Sequence, residues 1–146
     1  MGRGTQQLVN TIYTSPYTFL PVGTILTSSG DTGWISGFGE FRSAFIFINI
    51  TTISGTTPTL DVYIDGTPDG IEQMNMIHFI QATTTPFKRT GILIESYPSS
   101  FSGFGPASLA ADLSRGGPFG EILRCRWVIT GTTPSYTITC KGIFKS

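Results

Sequence analysis

The chain has 146 residues, a formal net charge of zero and only 12% charged residues. This composition is far from the basic balance of a nucleic-acid binder and from the high charge of a disordered chain. No apolar run reaches the ~20 residues that a membrane helix needs, and no signal-peptide pattern opens the chain. The length predicts one domain with a hydrophobic core, and the weakly charged surface favours association with other subunits.

The N-terminal segment, residues 1–24, shows little periodicity because Gly, Gln, Pro and Ser interrupt its apolar residues. A segment this rich in aromatics is poorly suited to lie free in water, so it packs on its own domain or reaches a neighbouring subunit. We favour the second and predict an arm over residues 1–24, followed by a single β-sandwich domain over residues 25–146. The predicted contact residues of the arm are Leu8, Val9, Ile12, Tyr13, Tyr17 and Phe19.

The longest extended run spans residues 40–53 and is apolar on both faces. Strands of this kind are usually buried on both sides, so we predict that one face packs in the core and the other lies under a second subunit or the arm. We assign the even face to this contact, and its residues are Ile46, Ile48 and Ile50. Short strands over residues 23–28 and 33–36 precede the run.

The sequence Gly-Thr-Thr-Pro occurs twice, at residues 55–58 and 131–134, each time between runs rich in β-branched and aromatic residues. Gly and Pro between such runs are typical of a hairpin with a loop of about four or five residues. Proline suits the loop because it has no N–H to donate to a ladder. We therefore predict two hairpins that form matching edges of one β-sandwich.

The remaining segments add strands and one long loop. Residues 60–65 alternate apolar and polar side chains, and residues 73–81 and 87–94 are further predicted strands. Residues 96–120 are rich in Gly, Ser, Pro and Phe, and the pattern permits a helix only over Pro106–Ser114. About eight strands with at most one short helix favour an antiparallel β-sandwich or jelly roll.

The second predicted hairpin also positions the two cysteines. With a loop centred between Thr132 and Thr133, Cys125 on one arm of the hairpin lies opposite Cys140 on the other, and both are on the apolar, core-facing side. Directly opposed residues have Cα atoms about 4.5–5.5 Å apart, within the range that a disulfide can bridge. We therefore predict that Cys125 and Cys140 are an adjacent pair.

Basic residues are concentrated on predicted strands. Six of the nine lie there: Lys88, Arg89, Arg124, Arg126, Lys141 and Lys145. A solvated outer face is the simplest interpretation of this pattern. A patch that meets an acidic partner surface is the second, and contact with phosphate groups is a distant third because aromatic residues are not interleaved.

Residues that could carry chemistry are few. His78 is the only histidine, so it cannot build a His-based metal cluster, and no nucleophile lies near it in sequence. Four acidic residues lie close together in sequence, namely Asp61, Asp65, Asp69 and Glu72. They could approach calcium, but an EF-hand loop from Asp65 would place Met76 where glutamate is needed. We predict no catalytic residue, no metal and no cofactor, with a calcium site as a less favoured alternative.

Three sequence features in this order resemble a group of tailed-phage virion proteins. Those proteins carry a Ser-Gly-Thr-Ser-Pro-Thr-Leu-Asp-Val-type hairpin, then an Asp-Gly turn, then a second Gly-Thr-Ser-Pro-Ser hairpin. The matching pieces here are Ser54–Val62, Pro68-Asp69-Gly70 and Gly131–Tyr136. The resemblance covers roughly residues 42–142 and departs from the family at Thr57 and Thr133, where serine is usual.

The resemblance implies a β-sandwich structural component of a virus particle that has no catalytic residues. We predict a non-enzymatic capsid decoration protein that cements the shell by bridging neighbouring subunits. The expected partners are copies of the chain itself, with a homotrimer favoured, and the major capsid protein or another virion protein, without direct contact with nucleic acid or membrane. Assembly of such particles in a reducing host cytoplasm implies that Cys125 and Cys140 remain reduced.

Two alternatives stay open at this stage. The chain could be a neck or tail component of the virion, because the resemblance does not imply a position on the particle. It could also be a carbohydrate-binding jelly roll that uses exposed aromatics such as Trp34, Tyr63 or Tyr97. An enzyme is the least favoured reading.

Overall fold

The computed structural model describes residues 13–94, 109–115 and 120–146. Leu8, Val9, Ile12 and Tyr97, which carried predictions, lie outside these residues. The described chain forms seven strands: β1 (Thr14–Leu26), β2 (Gly30–Asp31), β3 (Ser43–Thr67), β4 (Met74–His78), β5 (Phe87–Ile94), β6 (Leu113–Ser114) and β7 (Ile122–Lys145). Every pairing between them is antiparallel. The prediction of an all-β antiparallel fold is confirmed.

No helix forms among the described residues, and so none there could cross a membrane. The predicted helix over Pro106–Ser114 lies partly outside these residues. Its described part is a turn followed by β6, which pairs with β4. The backbone hydrogen bonds of this segment therefore go to a neighbouring strand instead of along a helix.

The two longest strands, β3 and β7, pair with each other along nearly their whole length. The ladder runs from Ser43 opposite Lys145 to Thr67 opposite Ile122. The two predicted hairpins are wrong, because each Gly-Thr-Thr-Pro segment lies inside one continuous strand. The segments instead meet each other, with Thr56 opposite Thr132. The Gly and Pro residues of these segments bend the strands without reversing the chain, because the backbone of each segment pairs with the other long strand.

This meeting point, which we call the corner, consists of residues 54–59 of β3 and 130–135 of β7. Gly55 and Gly131 have φ angles of +112° and +119°, and Thr57 and Thr133 have φ angles of +48° and +46°. A Cβ atom at Gly55 would lie 2.8 Å from the carbonyl oxygen of Thr133, and one at Gly131 would lie 2.9 Å from the Cα atom of Pro58. The two copies thus adopt the same backbone geometry and cross at a distance that only glycine permits.

The corner divides the one seven-stranded sheet into two parts, here called the first and the second layer. The first layer contains β1, residues 135–145 of β7, residues 43–54 of β3, and β5, in that order. The second contains β2, residues 122–130 of β7, residues 59–67 of β3, β4 and β6. Side chains from both layers meet in one core, where the Tyr136 hydroxyl of the first layer donates a 3.0 Å hydrogen bond to the carbonyl of Ala82, which is bridged to the second.

The N-terminal segment is part of this sheet from Thr14 onwards. β1 covers the edge of β7, with Thr14 opposite Lys145 and Leu26 opposite Tyr136. Phe19 is 6% exposed in the core, and Tyr17 packs against it. The predicted arm boundary at residue 24 is therefore corrected, because an open strand edge and apolar side chains draw residues 14–24 onto the domain.

The placement of the even face of β3 also needs correction. Ile46, Ile48 and Ile50 are at most 1% exposed within the single chain, where they line the core between the layers. They are consequently not available to a partner subunit. The odd face, which carries Phe45 and Phe47, points outward from the first layer, and Phe45 is 47% exposed.

The two cysteines meet across the core and not across a hairpin. In the ladder Cys125 pairs with Ile64, and Cys140 pairs with Ile48, so the predicted register is wrong. Both are free thiols with no exposed surface. The hydrogen bond with the Cys140 side chain, together with burial, raises the pKa of the Cys125 thiol well above its ordinary value. The bend of β7 thus brings together two residues that the predicted hairpin would have paired.

Both thiols should be unreactive in the folded protein, because burial excludes reagents and the raised pKa of Cys125 keeps its thiol protonated at neutral pH. We expect a thiol-specific disulfide reagent at pH 8 to modify neither cysteine in the native chain and to modify both after denaturation. Rapid modification of one native thiol would contradict the packing described above.

Because the strands cross so closely at the corner, adding one methyl group there should strongly destabilise the fold. Gly55→Ala or Gly131→Ala should each lower the free energy of unfolding by about 3 kcal/mol, because backbone strain at positive φ adds to a clash with backbone atoms. Gly23→Ala is the matched control, since Gly23 has φ +85° with no atom near the added Cβ. It should cost only about 1 kcal/mol. Urea denaturation measures all three, and equal effects would show that the crossing contributes nothing.

Candidate functional site

Two surface regions could carry function, and they lie on opposite sides of the molecule. The outer surface of the second layer holds a cluster of charged and aromatic side chains around Asp65, here called the polar cluster. The outer surface of the first layer holds exposed apolar residues and lysines, here called the outer face. Strand alternation produces both, since odd positions of β3 point away from the core in each layer.

The polar cluster is centred on Asp65, whose side chain is fully buried. Arg126 donates through Nε at 2.7 Å and Arg124 through Nε at 3.1 Å, both to Oδ2. Asn75 donates to Oδ1 at 2.8 Å. Strands β3, β4 and β7 each contribute to this arrangement, so it fixes three neighbouring strands to one another.

Aromatic rings extend the polar cluster on both sides. The guanidinium of Arg124 lies 4.1 Å from the ring centre of Trp34, and that of Arg126 lies 4.0 Å from the ring centre of Tyr63. Tyr63 also stacks on His78, with ring centres 4.1 Å apart. Sugar binding by stacking needs an open ring face, and the Tyr63 ring is already held between neighbours on β7 and β4. This observation weakens the carbohydrate-binding alternative.

His78 is held at both ring nitrogens. Nε2 lies 2.9 Å from Oδ1 of Asp61, and Nδ1 lies 2.8 Å from the carbonyl oxygen of Leu109. Gln81 donates to the second carboxylate oxygen of Asp61 at 2.8 Å. No ring nitrogen of His78 therefore remains to bind a metal or to act on a substrate in this arrangement.

The acidic residues considered for calcium have separate partners. Asp61 binds His78 and Gln81, and Asp65 binds the two arginines. Asp69 lies in the turn after β3, where hydrogen bonds from the Glu72 side chain and from backbone N–H groups lower the pKa of its carboxyl to about 2. Within the residues described, no three His, Cys, Asp or Glu side chains are placed to hold a metal ion.

The outer face shows three cross-strand rows in the first layer. The middle row is entirely apolar and runs Pro16, Ile143, Phe45, Ile92 across β1, β7, β3 and β5. Its larger members remain exposed, with Ile143 at 39%, Phe45 at 47% and Ile92 at 43%. The row on one side is Thr14, Lys145, Ser43 and Ile94, and the row on the other is Thr18, Lys141, Phe47 and Thr90.

The sequence predictions for contact residues and the outer face barely overlap. Among the described predicted residues, Tyr13 is 70% exposed next to the C-terminus, whereas Tyr17 and Phe19 pack in or against the core. The row residues Ile143, Phe45 and Ile92 were missed as a group because they lie on three different strands. A run of alternating residues was visible on each strand, but only the ladder shows that the three positions are neighbours.

Comparisons with protein-family models, with curated proteins and with solved structures gave no match to this chain. The geometry of the two surface regions therefore carries the functional argument. The polar cluster satisfies its own donors and acceptors, since no buried side-chain nitrogen or oxygen among the described residues lacks a partner. The outer face is distinguished by a row of exposed apolar side chains that continues across neighbouring strands.

The arrangement of the polar cluster predicts that the stability of the fold depends strongly on the Asp65 carboxylate. Asp65→Ala should lower the free energy of unfolding by about 3–5 kcal/mol, because two largely buried guanidinium groups lose their counter-ion. Asp31→Ala is the control, since Asp31 lies 3.7 Å from Arg124 with a side chain 39% exposed. It should cost about 1 kcal/mol or less, from the exposed ion pair and from the 2.7 Å hydrogen bond that Asp31 Oδ1 accepts from Gly33 N–H. Chemical denaturation distinguishes the two, and a mild effect at Asp65 would show that the cluster is dispensable.

Proposed function

We propose that the chain is a non-enzymatic structural protein of a virus particle, which decorates or cements the shell by bridging neighbouring subunits as a homo-oligomer. The observation that carries this proposal is the apolar row of the outer face, which crosses four adjacent strands and stays exposed in the single chain. Contiguous exposed apolar surface of this kind marks a contact with another molecule.

The disposition of polar groups supports a binding role over catalysis. His78 is fixed by Asp61 and Leu109, and Asp65 is fixed by two arginines. Buried thiols of raised pKa, such as Cys125, are poor nucleophiles. Within residues 13–94, 109–115 and 120–146, these side chains therefore hold strands together.

The resemblance to tailed-phage virion proteins points the same way, and the corner gives it a structural meaning. Its two motifs, residues 54–62 and 131–136, are separated in sequence but contact each other through the Gly55 and Gly131 crossing. A family that keeps both motifs would keep one corner and the two layers that depend on it. The resemblance thus concerns a single three-dimensional feature.

The mechanism is mechanical. Each copy would bury its apolar row against a neighbouring protein, which contributes about 25 cal/mol for each Å² of apolar surface removed from water. A repetitive shell offers many equivalent sites, so an oligomer that engages several sites together binds far more tightly than one copy. No cofactor is needed for such a role, and a trimer is the favoured oligomer.

Purified particles from cells that carry the gene test the proposal. Mass spectrometry should find the chain in the particle, and cryo-electron microscopy should place it on the shell at a regular, repeated position. A chain found only at the neck or tail would replace decoration by a connector role. Absence of the chain from purified particles would contradict the proposed function.

A paired substitution tests the apolar row directly. Phe45→Ser with Ile92→Thr should leave the fold intact, because both side chains are exposed, while incorporation into particles should fall on the order of tenfold through lost apolar contact. Ile71→Thr is the control, since Ile71 is 81% exposed in the turn after β3, away from the row. Thermal melting verifies folding, and normal incorporation of the double variant would show that the row is not a contact.

A further inference from the structure

The outer face combines its apolar row with an unbalanced charge. Its three rows contain Lys141 and Lys145, and the adjacent row of Thr139, Asn49 and Lys88 adds a third lysine. None of these fifteen positions carries Asp or Glu, although the chain as a whole has nine acidic and nine basic residues. The chain as a whole has no net charge, but the positions of this face carry a net positive charge.

The acidic side chains of the described residues lie elsewhere. Asp61 and Asp65 belong to the second layer, where Asp61 is held by His78 and Gln81 and Asp65 by two arginines. The others are Asp31, Glu40, Asp69, Glu72, Asp112 and Glu121, which lie on β2, in loops or in turns. None is in a row position of the outer face, so its lysines have no acidic partner in the ladder. Asp112 lines a surface pocket with Thr90 and Ile92 at the β5 edge of the face, away from the lysines of β7.

The lysines border the apolar row. Along β7, Ile143 of the middle row lies between Lys141 and Lys145, the outward residues of the rows on either side. An apolar centre with charged residues at its rim is the usual anatomy of a protein–protein interface. The charges of this rim have one sign only.

From this arrangement we infer that the outer face docks on an acidic protein surface, one that presents carboxylates on both sides of an apolar ridge. A second copy of the same face is a poor occupant, because two-fold pairing would bring lysines against lysines with no carboxylate between them. Nucleic acid would neutralise the lysines but has no apolar ridge to cover Ile143, Phe45 and Ile92. An acidic protein surface could pair with the lysines and also cover the apolar row.

The inference rests on the proposed function, and it adds the chemistry of the partner. The homo-oligomer would then form through other surfaces of the chain, which leaves the outer face free for the shell. Attachment of this kind is sensitive to ionic strength, because charges on the surface are screened over about 8 Å at physiological salt.

Zero-length carbodiimide coupling on intact particles tests the inference, since this reagent joins a lysine amine only to a carboxylate in direct contact. We expect Lys88, Lys141 or Lys145 to be coupled to Asp or Glu of a different virion protein. Coupling confined to a second copy of this chain would overturn the inference. So would free labelling of all three lysines by an amine reagent in the assembled particle, or ultraviolet cross-linking of this face to nucleic acid.

The same coupling separates failure of the inference from failure of the proposed function. If the chain is absent from particles, the proposed function fails, and the reagent is then applied to intact cells that produce the full chain. Coupling of these lysines to acidic residues of one non-virion protein would support the inferred acidic partner even though the proposed virion function had failed. No such coupling in cells would overturn the inference as well.

Charge reversal with a charge-preserving control measures the contribution of the rim. Lys88→Glu with Lys141→Glu should reduce the amount of chain retained on its partner on the order of tenfold, and Lys88→Arg with Lys141→Arg should retain it. Retention is measured by quantitative mass spectrometry at low and high salt, after thermal melting has verified both folds. Equal retention of the two double variants would overturn the inference.

Discussion

The crossing of two strands at Gly55 and Gly131 is the constraint on which the rest of the structure depends. A side chain at either position would collide with backbone of the opposite strand, so the bend can form only where both copies carry glycine. Once bent, β3 and β7 supply a strand to each layer, and the core forms between their halves. The buried thiols of Cys125 and Cys140 show the consequence, because one bent strand contributes both.

The two outer surfaces that result have different physical characters. On the second layer, the fully buried carboxylate of Asp65 pairs with both Arg124 and Arg126, and an aromatic ring packs on each guanidinium group. These ion pairs connect β3 to β7. On the first layer, Phe45 and its row stay exposed beside lysines that no acidic residue of the face balances. The first layer thus carries a row of exposed apolar side chains that crosses several strands, whereas the charged side chains of the second layer contact one another.

Two errors of the sequence interpretation, the predicted hairpins and the predicted contact face of β3, have one common cause. Gly-Thr-Thr-Pro contains the residues that a reversing turn needs, but positive φ at Gly55 and Thr57 serves a bend inside a strand equally well. A local pattern cannot distinguish these outcomes, because the difference lies in which distant segment accepts the backbone hydrogen bonds. The same ambiguity led to Ile46, Ile48 and Ile50 being assigned to a contact with another subunit, when the second layer of the same chain covers them.

The sequence by itself determined that this chain is all-β and that residues 60–65 form a half-buried strand. The predicted adjacency of Cys125 and Cys140 is correct, but the packing of the two layers produces it and the predicted hairpin does not. Alternating side chains and scarce helix signals are local properties, so they can be read without a structure. Only the tertiary structure decided that residues 43–67 and 122–145 pair along their length, that Asp65 is buried between two arginines, and that the outer face exists as a continuous surface. These features depend on contacts between segments that are far apart in sequence, and the entropy of bringing such segments together is compensated by packing that no local pattern encodes.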